Sequence, residues 1–345
     1  MPAAVPRSSR PLSVIPPSPR VVALAGGVGA AKFLRGLIRV LDPARITVVV
    51  NTADDVERHA LLVSPDIDSV VYGLADVHDE ERGWGLRDES WQALAMLDRL
   101  GDETWFQLGD RDLGTHIWRT ARRRGGASLS EVTAAQAQAL GVAARILPMS
   151  DDPVTTRVRC RGLGDLHFQE YFVRERCQPE IEAIRFAGVE RSRPAPGVLE
   201  AIAEADALVV CPSNPVISVG PILAVPGIRE ALRAVPHSIA VTPVVAGRAL
   251  KGPTVAMLEH AGVEAGPAGV GRLYADFCGA MVVDRRDAAS VPAVEALGMR
   301  AVLAETVMDG LEAAVALAAV VRDALGLDDD DEPRLAACAG GGGAR

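Results

Sequence analysis

Residues 25–32, AGGVGAAK, combine three glycines and a lysine in a pattern that favours phosphate binding. Glycine lets backbone N–H groups approach an anion closely, and a helix that begins there adds a partial positive charge. The residues that carry this prediction are Gly26, Gly27, Gly29 and Lys32. Lys32 replaces the last glycine of a GxGxxG fingerprint, and the spacing is not that of a P-loop. A tight strand-to-helix turn without a ligand is the open alternative.

Acidic residues form a second set, whose chemistry suits a hard metal ion. Asp54 and Asp55 follow an apolar run, and Asp66 and Asp68 come shortly after them. Carboxylate oxygens are the ligands that Mg²⁺ prefers, and Mg²⁺ often bridges a protein to substrate phosphates. We therefore predict Asp54 and Asp55 as the metal-binding and catalytic residues. Asp66 falls in the first turn of a predicted helix, where a carboxylate usually serves as a cap.

Two further loops carry polar groups that suit ligand binding. Arg111 lies between two acids in the sequence GDRD, although such runs are also typical of surface ion pairs. Ser213 and Asn214 stand between two prolines after an apolar run, so they can present hydrogen-bonding groups with little ordering cost. That arrangement is typical of a nucleotide contact. A plain turn has the same composition, and both interpretations stay open.

Short apolar runs bounded by turn residues predict the strands that must position these groups. They cover residues 20–25, 46–50, 143–147, 207–211, 238–245 and 280–284. Amphipathic segments predict helices at 30–41, 196–205, 228–234, 255–260 and 306–325. This alternation predicts the α/β class, with a doubly wound, mostly parallel, Rossmann-like sheet. Ligands of such sheets bind at the carboxyl ends of the strands, where the glycine loop, Asp54 and Ser213 all fall.

The remaining segments predict additions to this sheet. A helical insertion is expected at about 52–142, with helices at 66–75, 89–100, 112–124 and 129–140. Alternating polar and apolar residues over 155–186 predict a small antiparallel hairpin region. We predict one α/β domain at 20–326. A proline-rich arm at 1–19 without an apolar export segment, and an acidic, glycine-rich tail at 327–345, are predicted to be disordered.

Composition limits the classes of partner. The chain has 345 residues, 49% of them hydrophobic, and a net charge of −9, so it lacks the basic field on which nucleic acid condenses. Its five scattered cysteines indicate neither a disulfide framework nor a zinc cage and favour a reducing cytoplasm. Apolar runs are shorter than the roughly 20 residues of a membrane span. We expect a cytoplasmic protein without nucleic-acid or membrane partners.

The order of motifs resembles one known family. The blocks are GGVGAAKFLRGL, NTADD, SPDIDSVVYGL, GWGL, LGDRDLGTH, LPMSDDPV, FQEYFV, PSNPVISVGPIL, VPGIREAL and KGP. They resemble the 2-phospho-L-lactate transferase family of coenzyme F-420 biosynthesis, which includes the actinobacterial phosphoenolpyruvate transferases. The resemblance is continuous over about residues 21–284. Ten ordered blocks are far more specific than one glycine loop.

The resemblance implies an activity and a set of binding residues. Such enzymes move a phospho-acid from a guanylylated diphosphate donor to the deazaflavin 7,8-didemethyl-8-hydroxy-5-deazariboflavin, releasing GMP with the help of Mg²⁺, and they are homodimers. By resemblance, the glycine loop and Lys32 bind donor phosphates, Ser213 and Asn214 bind the guanosine diphosphate part, and Asp68 and Arg111 bind the deazaflavin. Val28 and Ala30 replace the threonines of archaeal members, which carry GGTGT.

Other interpretations stay open at this point. The glycines and the acids after the second strand also fit an NAD-dependent oxidoreductase, although the last fingerprint glycine is missing. A non-catalytic guanine-nucleotide-binding regulator would retain nucleotide affinity without turnover. Within the transferase interpretation, no motif selects phospholactate, phosphoenolpyruvate or 3-phosphoglycerate as the acid on the donor.

Overall fold

The computed structural model describes residues 18–249 and 253–327. The predicted arm at 1–19 and tail at 327–345 therefore lie outside the described residues, apart from residues 18, 19 and 327.

Within the described residues the strands are, in chain order, β1 (Val21–Ala25), β2 (Ile46–Val50), β3 (Val56–Arg58), β4 (Leu61–Val63), β5 (Arg145–Pro148), β6 (Thr155–Cys160), β7 (Gly164–His167), β8 (Ile181–Ala187), β9 (Ala207–Val210), β10 (His237–Val241), β11 (Val244–Val245), β12 (Arg248–Ala249), β13 (Ala280–Asp284) and β14 (Arg300–Ala304).

The α-helices among the same residues are α1 (Gly27–Val40), α2 (Pro65–Leu74), α3 (Gln92–Arg99), α4 (Asp110–Arg124), α5 (Leu129–Ala139), α6 (Val198–Ala203), α7 (Val219–Ala224), α8 (Ile228–Leu232), α9 (Thr254–His260), α10 (Pro267–Tyr274), α11 (Val291–Glu295) and α12 (Leu311–Leu325).

Seven strands form a parallel sheet in the order β14-β13-β10-β9-β1-β2-β5. Val21 pairs with Ile46 of β2 on one side and with Ala207 of β9 on the other. The chain therefore builds the sheet outward from β1 in one direction, then returns to continue from β9 in the other. This reversal is the topological switch point, where open α/β sheets bind ligands. The predicted doubly wound fold is confirmed.

Each strand of the centre is buried on both faces, as the apolar runs predict. Val21 and Ala23 of β1 belong to a core that α1, α2 and α12 cover and that includes Phe33 and Leu317. Val22 belongs to the opposite core, which α6, α7, α8 and α10 cover. The alternation along β1 distributes its side chains between the two layers, as expected for a period of two.

Two parts of the sheet differ from the prediction. The strand predicted at 238–245 ends at Val241, and Val244–Val245 instead form a separate antiparallel pair with β12. The edge strand β14 was missed, because its short apolar run lies among helix-forming residues and periodicity cannot separate the two states. The last helix begins at Leu311 rather than at residue 306.

The insertion contains the four predicted helices, α2 to α5, and also a two-stranded antiparallel pair, β3–β4, that the sequence did not reveal. The predicted hairpin region is an antiparallel sheet of three strands in the order β7-β6-β8. In the part of the chain that the structure describes, Cys160, Cys177 and Cys211 are free thiols. None of the helices described there is long and apolar enough to cross a bilayer.

Candidate functional site

The predicted glycine loop and the predicted serine loop meet at the switch point. Gly26 follows β1 and Ser213 follows β9, and the Gly26 N–H donates to Ser213 Oγ at 3.2 Å. Gly29 lies against the same loop: a Cβ atom there would stand 2.5 Å from the Pro212 carbonyl oxygen. Only glycine lets α1 begin this close to the second loop. The structure therefore brings these two predicted elements of one site together.

Gly27, the first residue of α1, makes a contact that the sequence did not indicate. Its N–H donates to Asp66 Oδ1 at 2.8 Å, and the other Asp66 oxygen accepts from Asn51 Nδ2 at 2.9 Å. Asp66 was expected to cap α2, but its side chain reaches the glycine loop instead, so that expectation is wrong. Asp66 and the fully buried Asn51 are the residues that sequence reasoning missed here.

Asp54, Asp55 and Asp66, which we call the crevice carboxylates, lie after β2 and at the start of α2. Asp54 is 3% exposed; Asp55 is partly exposed, and its Oδ2 accepts from Ser64 Oγ at 2.7 Å. Asp54 Oδ1 and Asp55 Oδ1 are buried atoms without a hydrogen-bond partner among the described residues. Buried polar atoms in proteins nearly always have partners, so these two oxygens call for a ligand.

The pKa values of the crevice carboxylates are all raised. Burial raises the pKa of Asp54 well above its ordinary value, and the nearby Asp66 raises it further. Burial also raises the pKa of Asp55 to about 8 and that of Asp66 to about 6. Hydrogen bonds from Ser64, Asn51 and Gly27 act in the opposite direction and are outweighed. The nearby Arg119 charge also lowers the pKa of Asp55 and is likewise outweighed by burial. Carboxylate oxygens such as the two without partners are ligands that a hard divalent cation accepts.

Asp68 lies only two residues beyond Asp66, yet its surroundings differ. Its two oxygens accept from the Arg119 guanidinium, and Oδ1 also accepts from Gln136 Nε2 at 2.8 Å. Arg119 Nη1 lies 3.1 Å from His116 Nδ1. We call Asp68, His116, Arg119 and Gln136 the insertion network. All four side chains are buried, and they join α2 to α4 and α5.

A geometric grouping of Asp68, Asp112 and His116 brings one potential ligand atom from each within 4.8 Å. The Asp68 carboxylate already has a buried cation as its partner, Arg119. His116 lowers the pKa of Asp112 against the opposing effect of burial, so Asp112 also has favourable partners. Charge is thus balanced in this group by protein side chains. The crevice carboxylates differ in that two of their buried oxygens have no hydrogen-bond partner among the described residues.

Arg111 lies at the start of α4 and is largely exposed, so it is not in the insertion network. Its guanidinium donates from Nη1 to the Arg87 carbonyl oxygen at 2.8 Å. The next residue, Asp112, accepts from the hydroxyl of Tyr72 at 2.8 Å. Asp68 and Arg111, which the resemblance places on one ligand, therefore have different surroundings: Asp68 is buried against Arg119, and Arg111 is largely exposed.

A cavity of about 140 Å³ lies beside the glycine loop, between α1, α2 and the start of α12. Its lining includes Lys32, Arg35, Ser69, Tyr72, Trp84 and Gly310. Tyr72 connects the cavity to Asp112, and Trp84 lies just before Arg87, the residue that holds Arg111. Lys32 has no ion-pair partner within the described ranges. The cavity is thus linked to the first turn of α4 through the hydrogen bond of Tyr72 to Asp112.

Asn214 shapes the serine loop. Its Oδ1 accepts from Val216 N at 2.9 Å and from Ile217 N at 3.2 Å, which is an Asx-type turn. Its Nδ2 donates to Thr254 Oγ1 at 3.2 Å, at the start of α9. Both interpretations of this loop are therefore compatible with the structure: Asn214 forms a turn, and that turn lies at the switch point.

Comparison with known proteins identifies relatives along nearly the whole domain. The family model for the 2-phospho-L-lactate transferase CofD matches residues 21–313. A phosphoenolpyruvate transferase of Kitasatospora aureofaciens is 44% identical over 306 residues, which is 87% of this chain and 95% of the relative. A 2-phospho-L-lactate transferase of Methanosarcina mazei is 38% identical over 301 residues, 87% of this chain and 99% of the relative.

A solved structure supports the fold independently. A UPF0052-family protein of Bacillus halodurans superposes with a TM-score of 0.59 at 17% identity, over 87% of this chain and 98% of that one. The sequence matches favour a transferase over the oxidoreductase and regulator alternatives. On this evidence, the chain belongs to the 2-phospho-L-lactate transferase CofD family.

Proposed function

We propose that this protein moves a phospho-acid from its guanylylated diphosphate donor to 7,8-didemethyl-8-hydroxy-5-deazariboflavin and releases GMP. The observation that carries the proposal is the junction of the glycine loop with the crevice carboxylates at the switch point of the sheet. Relatives named as phosphoenolpyruvate and 2-phospho-L-lactate transferases support it. Transfer at phosphorus requires mainly positioning and charge neutralisation, which such a junction provides.

The donor spans the switch point in this proposal. Its guanosine diphosphate part lies along the loop of Ser213 and Asn214, and its phosphates lie at the N-terminus of α1. The partial positive charge of the helix and the ammonium of Lys32 attract the phosphates. The contact between Gly26 and Ser213 supports this placement because one ligand can reach both loops.

Mg²⁺ belongs with the crevice carboxylates in this proposal. Asp54 and Asp55 each have a buried oxygen without a partner among the described residues, and the pKa of both is raised by burial. When bound, the ion supplies positive charge that neutralises the diphosphate and the leaving GMP. Asp54 and Asp55 would hold the ion, with Ser64 orienting the carboxylate of Asp55 and Asn51 that of Asp66.

The acceptor occupies the side of Lys32 that faces Trp84. The three-ring system enters the cavity between α1, α2 and residues 78–85. Arg111 and Asp68 lie outside the cavity lining, and the family resemblance is the reason for placing them on this ligand. The cavity of about 140 Å³ is smaller than the roughly 300–1,000 Å³ of typical ligand pockets, so the segment that carries Trp84 must move outward. Binding of the deazaflavin should therefore change the fluorescence of Trp84.

The chemical step uses the acceptor's own nucleophile. The ribityl hydroxyl oxygen forms a bond to the phosphorus attached to the acid, the bond from that phosphorus to the GMP oxygen breaks, and the hydroxyl proton passes to solvent water. GMP leaves with the electron pair of the broken bond. No protein side chain forms a covalent intermediate, so the crevice residues act by holding and neutralising the reactants.

The test is a reaction with defined substrates. Purified protein, the deazaflavin and Mg²⁺ are mixed with guanylylated phospholactate, phosphoenolpyruvate or 3-phosphoglycerate, and products are identified by mass. One donor should give GMP and a phosphodiester of the deazaflavin. If none of them reacts, while GDP and the deazaflavin both bind, the proposal fails and the regulator alternative gains support.

We further propose that the protein acts as a homodimer in the cytoplasm. Light scattering should give twice the mass of one chain, and a monomer with full activity would contradict the dimer.

Calorimetric titration with NAD should show no tight binding, whereas tight binding would revive the oxidoreductase alternative.

A further inference from the structure

Glu89, which lies in the loop before α3, holds the first turn of α4. Its Oε2 accepts from the Arg111 N–H and its Oε1 from the Asp112 N–H, both at 2.8 Å. Both carboxylate oxygens are thus engaged by backbone groups that the helix itself leaves without partners. A Cβ atom at Gly109 would stand 2.2 Å from Glu89 Cδ, so only glycine admits the carboxylate at this point.

The same segment also fixes the side chain of Arg111. Two residues before Glu89, the Arg87 carbonyl oxygen accepts from Arg111 Nη1 at 2.8 Å. Arg111 is therefore held twice by residues 87–89: once at its backbone and once at its guanidinium. An otherwise exposed arginine would sample many rotamers, and this double hold limits them.

This arrangement lies next to the proposed acceptor cavity. Asp112, the second residue that Glu89 holds, accepts from the hydroxyl of Tyr72, and Tyr72 lines the cavity. A displaced first turn of α4 would shift the Arg111 guanidinium and the Tyr72 contact together. We infer that Glu89 is a positioning residue for acceptor binding, acting through the first turn of α4 on Arg111. This inference rests on the proposed function.

A second carboxylate in the same place provides a matched control. Asp110 accepts from the N–H groups of Gln92 and Ala93, each at 3.0 Å, and from the Ser90 hydroxyl. It therefore caps α3, whereas Glu89 caps α4. Asp110→Ala and Glu89→Ala each remove two hydrogen bonds from backbone N–H groups, and both pairs join the same two segments. Only Glu89→Ala removes the hydrogen bond that holds the backbone of Arg111.

The experiment compares the full-length variants Glu89→Ala, Glu89→Gln, Asp110→Ala and Arg111→Ala. For each, the Kd of 7,8-didemethyl-8-hydroxy-5-deazariboflavin and the Kd of GDP are measured by calorimetry, and the Tm is recorded. Glu89→Ala should raise the Kd of the deazaflavin by about tenfold, because a misplaced binding group loses most of its contact. Glu89→Gln retains one accepting oxygen and should fall between Glu89→Ala and the wild type. GDP affinity should stay within twofold of wild type.

The control decides between positioning and general stability. Asp110→Ala should lower the Tm about as much as Glu89→Ala does and leave the Kd of the deazaflavin unchanged. The inference is overturned if Asp110→Ala weakens deazaflavin binding as much as Glu89→Ala does. It is also overturned if Glu89→Ala binds the deazaflavin normally while Arg111→Ala binds it weakly. Both outcomes leave the proposed function intact. Normal binding by Arg111→Ala overturns the proposed acceptor contact itself, and the inference falls with it.

Discussion

The crevice carboxylates and the insertion network are two acidic regions that share α2 and differ in how their charge is balanced. Asp66 and Asp68 lie two residues apart on that helix. Asp68 faces the Arg119 guanidinium and Gln136, and both of its oxygens have partners. The crevice carboxylates have one another as neighbours, and burial with mutual repulsion raises the pKa of Asp54.

This difference separates a scaffold from a binding site. A buried carboxylate with a fixed cationic partner needs nothing from outside the protein, and it ties helices together. Buried carboxylates without a partner cost folding free energy until a cation or a proton neutralises them. A protein retains such a cost where the neutralising group has a function. The comparison therefore favours the crevice as the place where the proposed metal and donor bind. It also shows that Asp68 is tied into the scaffold through Arg119 and Gln136 in addition to its proposed acceptor contact.

The largest expected effect is on turnover in the crevice. Asp54→Asn removes a charge that the proposed Mg²⁺ site needs and should lower kcat by about a thousandfold or more, since metal charge stabilisation contributes several kcal/mol. Folding should survive, because the variant removes a buried charge without a partner. Steady-state kinetics across a Mg²⁺ titration measure the effect, with the exposed Asp98→Asn as control. Near-normal turnover with normal Mg²⁺ dependence would remove Asp54 from the site.

The next effect is on stability in the insertion network. Arg119→Met leaves the Asp68 carboxylate buried without its cation and should lower the free energy of unfolding by about 3 kcal/mol. Urea denaturation measures this change. The double variant Asp68→Asn/Arg119→Met should recover much of the loss, because no uncompensated charge is left. A single variant as stable as the wild type would show that the pair is not structural.

Much of the crevice could be predicted from local sequence patterns. Asp54 and Asp55 come shortly after the buried strand β2, and the glycine loop directly follows β1, so parallel pairing brings the two segments to one edge of the sheet. Asp66 could not be assigned in this way. A carboxylate in the first turn of a helix predicts a cap, and its actual partner, Gly27, lies 39 positions away.

The insertion network depends entirely on tertiary packing. Arg119 and Gln136 lie 51 and 68 positions from Asp68, and no local pattern pairs them. One signal was present: Asp112, His116 and Arg119 recur at helical spacing, which places polar groups on a single face of α4. Polar residues along one face of a helix predict either a face exposed to solvent or a buried hydrogen-bond network. Only the contact of α4 with α2 decides between these two possibilities.

A smaller effect should appear in the pH dependence of stability. Burial raises the pKa of Asp55 from its ordinary value near 4 to about 8, so the folded state binds a proton that the unfolded state has lost. Stability without metal should therefore fall as pH rises through that window. Asp55→Asn should increase the free energy of unfolding at pH 8 by about 1–2 kcal/mol and leave it unchanged below pH 4.

Chemical denaturation with and without Mg²⁺ checks this prediction. Mg²⁺ should stabilise the wild type at pH 8 and should stabilise Asp55→Asn much less. Identical pH profiles for the two proteins would show that Asp55 is compensated in the folded state, as Asp68 is, and would remove the contrast between the two regions.

The smallest expected effect concerns Lys32, the cation beside the crevice, which differs from Arg119, the cation of the insertion network. Arg119 is buried and fixed by its partners, whereas Lys32 is partly exposed and has no ion-pair partner within the described segments. A flexible, solvated ammonium contributes a point charge that salt screens. Lys32→Ala should therefore raise the donor KM by about tenfold and slow turnover, with a smaller loss at high salt. Arg39→Ala, an exposed cation near the end of α1, is the control and should change neither value. Unchanged donor KM and kcat in Lys32→Ala would show that Lys32 is a solvated surface charge without a role in donor binding. The positive charge of the crevice would then come from the metal ion and the dipole of α1.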